Sequence, residues 1–316
     1  MIRLNLTGGL GNQMFEYACA RALGEKLGDK EIEINSWFND IYSSVAGKKY
    51  LRMPNSLKHF QLNQNIREIP KWKGLLKGIF YMADFSIDVL RHRKKLMSVS
   101  EFQKRNRRGI YQVPVYAFTF FPCADKSKKN KRITGYFQNE KYFKDIKEIL
   151  REEFLVKTQA SEKNLEKIKE LDCCNSVCVH IRRGDYLSSQ YSFLNVCNEK
   201  YYQKGMDYIE ERIKEPVFYI FSNNNEEINW IKKNYHFRQK VNYIELNNPD
   251  YEELRLMSHC KHFVMANSTF SWWGSYLAEG TGGGKIVVVP FVWQREEYRG
   301  GEIDIYREDM IKIDVD

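Results

Sequence analysis

The sequence contains no run of 18 or more apolar residues, so no membrane-spanning helix is expected. Its opening, Met1–Leu6, carries Arg3 and runs straight into a glycine loop, without the long apolar stretch of a signal peptide. Cysteines number seven, an odd count with Cys173 and Cys174 adjacent and no Cys-x-x-Cys pair, which argues against a disulfide framework. Cys174, Cys178 and His180 can be drawn as metal ligands, but small buried thiols on a strand account for them better. No Asp-x-Asp pair stands at the end of an expected strand; Asp304 and Asp314 to Asp316 read as solvated tail residues. No Gly-Lys-Ser/Thr follows the glycine loop, so it is not a phosphate-binding P-loop. These absences point to a reduced, cytoplasmic compartment and to chemistry without a resident metal.

What is present supports packed cores. Hydrophobic residues make 43% of the 316 residues and aromatics 14%, which excludes a disordered chain, and the length suggests two domains. The formal charge of +9 implies an anionic partner: a nucleotide, an anionic membrane surface or nucleic acid. Basic runs at Arg91–Lys95, Lys104–Arg108 and Lys126–Arg132 read either as solvated helix ends and loops or as peripheral contact with the inner membrane face.

The most informative stretch is Val177 to Tyr186, VCVHIRRGDY. Val177, Val179 and Ile181 alternate with Cys178, His180 and Arg182, a strand pattern that stops in Arg182-Arg183-Gly184-Asp185. His180 and Arg182 share one strand face. A parallel strand of an α/β fold aims its carboxyl end at the ligand crevice, and guanidinium forks there suit phosphate oxygens. A surface ion-paired strand end is the plainer alternative.

Earlier in the chain, a strand from Ile2 to Leu6 leads into Thr7-Gly8-Gly9-Leu10-Gly11-Asn12-Gln13, and a helix is expected from Met14 to Leu27. Strand, glycine loop and helix start together form an anion cradle. The loop nearly matches a dinucleotide fingerprint, but Met14 stands at its third glycine and is too bulky for close strand–helix packing. Glu31–Asn35 reads as a second strand, and Leu75–Met97 has helical spacing. The rest of Ser36–Lys157 gives little signal. From Ser161 strands and helices alternate: helices at 161–171, 199–213, 226–233, 250–258 and 270–279, and strands at 177–181, 217–221, 243–246, 262–266 and 286–289. This predicts a parallel sheet covered on both faces. Polar loops after the strands, at Arg182, Ser222 and Asn267, then fall on one rim.

Three motifs together resemble one family. Gly8-Gly9-Leu10-Gly11-Asn12-Gln13-Met14-Phe15, His180-Ile181-Arg182-Arg183-Gly184-Asp185-Tyr186 and Asn267-Ser268-Thr269-Phe270-Ser271-Trp272-Trp273-Gly274 are similar to the bacterial α-1,2-fucosyltransferases of glycosyltransferase family 11. The resemblance implies an α/β, GT-B-like fold of two Rossmann-like domains facing a cleft: an acceptor-side domain over 1–157, a nucleotide-sugar domain over 158–290, and a tail over 291–316 packing back on the first. It implies inverting transfer of L-fucose from GDP-β-L-fucose to the 2-hydroxyl of a terminal β-galactose, with no metal or other cofactor.

By the same resemblance, Arg182 holds the pyrophosphate with His180 and Arg183 beside it. Ser268, Thr269, Phe270 and Ser271 offer hydroxyls and helix-start N–H groups to the same phosphates, next to Asn267. Gly9, Gly11, Asn12 and Gln13 reach in from the other domain. Ser222 and Asn223 are placed on the donor as well; after Phe221-Ser222, where relatives commonly carry an acidic pair for guanine, this chain has Asn223-Asn224, and an asparagine accepts through one oxygen only. Asp185 is the candidate base or orienter. Trp272 and Trp273 read equally as helix core or as site residues.

Other classes remain in view: another nucleotide-sugar glycosyltransferase of the same fold, or a basic nucleic-acid-binding protein. A sugar-binding module accounts for the tryptophans but not for paired arginines at a strand end.

Overall fold

The computed structural model describes the chain apart from residues 29–30, 38–53, 64, 71, 77–96, 114–117, 123–129, 190, 279–283 and 296–302. The chain divides into two compact units, Met1–Lys157 with Gly300–Tyr306, and Thr158–Arg299 with Arg307–Asp316.

The first unit holds β1 (Ile2–Asn5), β2 (Ile32–Asn35), β3 (Ile66–Glu68), β4 (Ile110–Gln112) and β5 (Lys131–Thr134). They form a parallel sheet in the order β3-β2-β1-β5-β4. Ile2 and Leu4 of β1 are fully buried, as expected of a central strand. Helix α1 (Leu10–Leu27) begins four residues earlier than the sequence pattern suggests, because Gly9 caps it and the remaining motif residues form its first turn. Helices α2 (Val99–Arg107) and α3 (Lys147–Glu153) also belong to this unit. Helical spacing at Leu75–Met97 and the run Arg91–Lys95 fall almost entirely outside the described residues. Lys131, from the third basic run, is not a solvated charge. It is 1% exposed and donates to the backbone oxygen and Oδ1 of Asn106 at 3.1 and 3.2 Å.

The second unit holds β6 (Asn175–His180), β7 (Pro216–Phe221), β8 (Val241–Tyr243), β9 (His262–Val264), β10 (Val287–Pro290) and β11 (Met310–Ile313). All pair in parallel, in the order β11-β10-β9-β6-β7-β8. Between them run α4 (Glu162–Cys173), α5 (Glu199–Glu210), α6 (Asn225–Asn234), α7 (Asp250–Ser258) and α8 (Thr269–Leu277). Ser161 caps α4 through its hydroxyl, which accepts from the Asn164 N–H at 3.3 Å. Val177, Val179 and Ile181 pack with Tyr201, Tyr202, Met206 and Ile209 of α5 and Ile228 and Ile231 of α6. The opposite face of β6 carries Cys178 and His180, so the alternation read from the sequence divides the strand between two buried faces. β8 lies two residues before its expected place, at Val241–Tyr243. The segment after residue 290 is more than a tail: Gly300–Tyr306 goes with the first unit and β11 closes one edge of the second sheet. Trp272 and Trp273 are fully buried, with Tyr276 stacked on Trp272 at 5.0 Å, so both serve the helix core.

Candidate functional site

In the second sheet β6 lies between β7 and β9. The chain leaves β6 toward β7 and β8, then returns past it to β9 and β10. The carboxyl ends of β6 and β9 therefore flank the point where the winding reverses, the place where open parallel sheets bind ligands. The His-x-Arg-Arg and Asn-Ser-Thr-Phe-Ser motifs stand at those two ends.

His180 closes β6. It is 2% exposed, and its Nδ1 meets the Ser271 hydroxyl in the first turn of α8. Burial, and secondarily the Arg182 guanidinium, lower its pKa to about 3. At neutral pH the ring is uncharged, so the site's positive charge comes from Arg182. The Phe270 ring lies 5.8 Å from the imidazole.

Arg182 donates from Nη2 to Asp185 Oδ1 at 2.8 Å, and its guanidinium stands 5.5 Å from the centre of the Tyr186 ring. Its Nε is buried and makes no hydrogen bond among the described residues. A buried orphan donor on a cation is costly unless something fills it. Asp185 thus orients Arg182 and leaves the rest of the fork available. Arg183 points the other way. Its Nε donates to Glu227 Oε2 at 3.0 Å, so Arg183 pairs with Glu227 on α6, and Asp185 pairs with Arg182.

The turn between these groups is held by Asn223, whose Oδ1 accepts the Arg183 N–H at 3.3 Å. Gly184 has φ +39, and a Cβ there would lie 3.0 Å from Asn223 Nδ2, so the turn requires glycine. Ser222 donates to the Ile181 carbonyl at 2.8 Å, tying β7 to the end of β6. Asn224 caps α6, accepting from the Glu227 N–H at 2.9 Å. These three polar residues shape the loop.

Asn267 is a brace. Its Nδ2 donates to the carbonyls of Leu194 and Trp293 at 2.7 Å each, and its own carbonyl accepts from the Tyr186 hydroxyl at 3.0 Å. Ser268 caps α8 by accepting from the Phe270 N–H at 3.3 Å. Thr269 and Phe270, half-buried, begin the helix, so its positive end lies beside the end of β6.

The glycine loop lies in the first unit, at the carboxyl end of β1. There too the winding reverses, between β1 and β5. Gly8 has φ +72, and a Cβ would lie 2.7 Å from Asn12 Nδ2. Gly9 borders open space, since a Cβ there would meet nothing within 4 Å. Gly11 is buried in the first turn of α1. Asn12 accepts from Gln138 Nε2 at 2.8 Å. Gln13 is fully buried: its Nε2 donates to the carbonyls of Gly8 and Pro54, and its Oε1 accepts from the Ser56 N–H, at 2.8, 2.9 and 3.0 Å. It fastens the loop from below. Beneath it Glu16 is fully buried, accepting from the Thr7 N–H at 2.8 Å and bonded to the Thr7 hydroxyl, and burial raises its pKa well above the usual carboxylate range.

Glu227 and Trp230 did not stand out in the sequence. Their signal was an acid and an aromatic three apart on one helix face, a pairing common on ordinary surfaces. Among the described residues, no group of three or more His, Cys, Asp or Glu side chains is arranged to hold a metal ion.

The chain is similar to known proteins over most of its length. Over 300 residues the chain is 32% identical to an α-1,2-colitosyltransferase of Escherichia coli, covering 92% of each chain. It is 29% identical to the O-antigen biosynthesis glycosyltransferase WbnK of the same species, covering 91% of this chain and 93% of that one. Among solved structures, fucosyltransferase NodZ from Bradyrhizobium aligns over 87% of this chain and 92% of its own at 10% identity, with a TM-score of 0.43. With a family model matching residues 1–314, the chain belongs to glycosyl transferase family 11.

Proposed function

We propose that the protein is an inverting α-1,2-fucosyltransferase, moving L-fucose from GDP-β-L-fucose to the 2-hydroxyl of a terminal β-galactose. The observation that carries this reading is the Arg182 guanidinium, oriented by Asp185 at a winding reversal, with a buried Nε lacking a partner among the described residues. A pyrophosphate oxygen supplies what that donor needs. The α-1,2 linkage and the galactose acceptor rest on the names of relatives. One is the galactoside α-(1,2)-fucosyltransferase 1 of Saimiri boliviensis boliviensis, 27% identical over 169 residues, half of this chain and 45% of that one.

In the reaction the acceptor oxygen attacks the anomeric carbon, the bond from that carbon to the β-phosphate oxygen breaks, and GDP departs carrying the bonding pair. Negative charge grows on the phosphate. Arg182 and the amino end of α8 oppose that charge, and fixed dipoles aimed at a developing charge lower the barrier. His180 stays neutral and acts as a hydrogen-bonding group held by Ser271. Asp185, engaged by Arg182, acts as the orienter. The acceptor proton leaves to a base outside this set. With counter-charge supplied by the protein, turnover needs no divalent cation.

A second reading is favoured by the colitosyltransferase relative: the donor sugar is colitose, which lacks the 3-hydroxyl of fucose. A panel of GDP-L-fucose, GDP-colitose, GDP-mannose and UDP-galactose, with lactose and Galβ1-3GalNAc as acceptors and released nucleotide as the readout, separates the two. Turnover with GDP-L-fucose at least tenfold above the others supports the proposal. Preference for GDP-colitose moves the assignment to the second reading, and preference for the uridine donor overturns both.

A further inference from the structure

The mechanism above uses Arg182 and leaves Arg183 aside, although the two stand side by side at the end of β6. Successive residues of an extended chain face opposite ways, which sends Arg183 toward α6. Three side chains meet it there. Glu227 accepts from its Nε at 3.0 Å, with both side chains mostly buried, 13% and 19% exposed. Trp230, one helical turn further along α6, lies under the guanidinium, with Cζ 3.1 Å from the ring centre. Tyr235 lies beside the same group: burial raises its phenol pKa, and the Arg183 charge pulls the other way. Trp230 is itself held edge-on against Tyr235 at 5.7 Å. The backbone is fixed as well, by the Arg183 N–H on Asn223.

A guanidinium stacked on an indole and paired with a partly buried carboxylate is firmly placed. It is also committed, with one edge on a carboxylate and one face on an aromatic ring.

We propose that Arg183 is a positioning residue, and that Glu227 and Trp230 form a clamp through which it holds the Arg182 guanidinium in the geometry that meets the donor's phosphate. This rests on the reading of Arg182 given above. Arg182 and Arg183 share a peptide bond, and Gly184, immediately after, has no side chain to anchor the loop. Without an anchor on Arg183, the strand end can swing about that glycine and the Arg182 fork must be ordered anew at each turnover. Preorganisation is where such a donor earns its rate effect, so loosening the clamp lowers kcat more than it weakens GDP binding.

The test uses the full chain and five variants: Trp230→Leu, Trp230→Phe, Glu227→Gln, Arg182→Ala and the double variant Arg182→Ala/Trp230→Leu. Turnover of the preferred donor, GDP affinity by calorimetry and thermal unfolding are measured on each. Trp230→Leu is expected to lower kcat about tenfold, the scale of a lost charge-assisted hydrogen bond, with GDP affinity changed less than threefold. Trp230→Phe should recover most of the loss. In the Arg182→Ala background the leucine substitution should cost less than twofold, because the residue it positions is gone.

If Trp230→Leu does not fold, Glu227→Gln carries the same expectation. An equal cost in both backgrounds overturns the inference, since the residue then acts elsewhere. Normal turnover in both clamp variants, beside a damaged Arg182→Ala, overturns it while leaving the donor site standing. Normal turnover in Arg182→Ala overturns the Arg182 reading and this inference together.

Discussion

His180 and Ser271 meet where the chain reverses direction in the second sheet, a strand end and a helix start joined by one buried hydrogen bond. The contact fixes α8 against β6, and burial keeps the imidazole uncharged. Its titration gives a stability signature. Burial lowers the folded ring's pKa to about 3 from its ordinary value of 6.5. Below that ordinary value the unfolded chain takes up a proton that the folded one refuses. The contribution is therefore complete above about pH 6.5 and is lost as pH falls toward 3, with a slope of up to about 1.4 kcal/mol per pH unit. Urea unfolding between pH 4 and 8 should show this fall in the parent. His180→Asn, which keeps a hydrogen-bonding group near Ser271, should lack most of it.

Arg182→Ala should stay folded and lose at least about a hundredfold in kcat/KM, since one preorganised donor to a developing charge is worth roughly 3 kcal/mol. Arg182→Lys should recover only part, because an ammonium cannot fork across two oxygens. Asp185→Asn should cost less than Arg182→Ala. Circular dichroism separates a lost site from a lost fold.

The rim of the second sheet was legible because its motifs are local. His180, Arg182 and Asp185 lie within six residues at the end of an alternating strand, and the helix expected at 270–279 starts one residue earlier, at Thr269. The partner of Arg183 was not legible. It is Glu227, 44 positions on, because the loop pairs Asp185 back onto Arg182. Gln13 and Asn267 read as ligand contacts because they are amides in glycine- and serine-rich loops; their part in bracing the loops was not legible, because the carbonyls of Pro54, Leu194 and Trp293 that they also satisfy are far off in sequence. In the first unit, β3, β4 and β5 are three or four residues long, too short for periodicity to separate from loop.

Glu16 offers the opposite pH signature. Buried and bonded to Thr7, its carboxyl holds its proton well above the unfolded range. Its contribution is fully present below about pH 4.5 and declines as pH rises toward the folded value. Glu16→Gln places an uncharged amide in the same bonds, so it should be more stable than the parent at pH 8 and nearly equal at pH 4. Glu16→Ala should be less stable than Glu16→Gln at both. Denaturant midpoints measured on the three proteins decide it.

Asn267→Asp should unfold more easily than the parent, since a carboxylate donates nothing to the Leu194 and Trp293 carbonyls. Each buried acceptor left bare costs about 1–3 kcal/mol. The denaturation midpoint should fall accordingly, and Asn267→Ala should fall with it.

Turnover should be unchanged by EDTA and by added Mg²⁺ or Mn²⁺, if Arg182 and the amino end of α8 supply the counter-charge. Activity that disappears with the chelator and returns with either ion would refute this assignment.

The second sheet is finished late. Its outermost strand, Met310–Ile313, follows a stretch that belongs to the first unit, so the unit is not contiguous in the chain. During synthesis Val287–Pro290 waits with one row of amides and carbonyls bare until Met310–Ile313 has been made and docks on it. A bare apolar edge recruits strands from other molecules. A copy cut between residues 300 and 309 keeps His180, Arg182 and every loop around them, yet should accumulate as aggregate, because what it lacks is the cover on a growing edge.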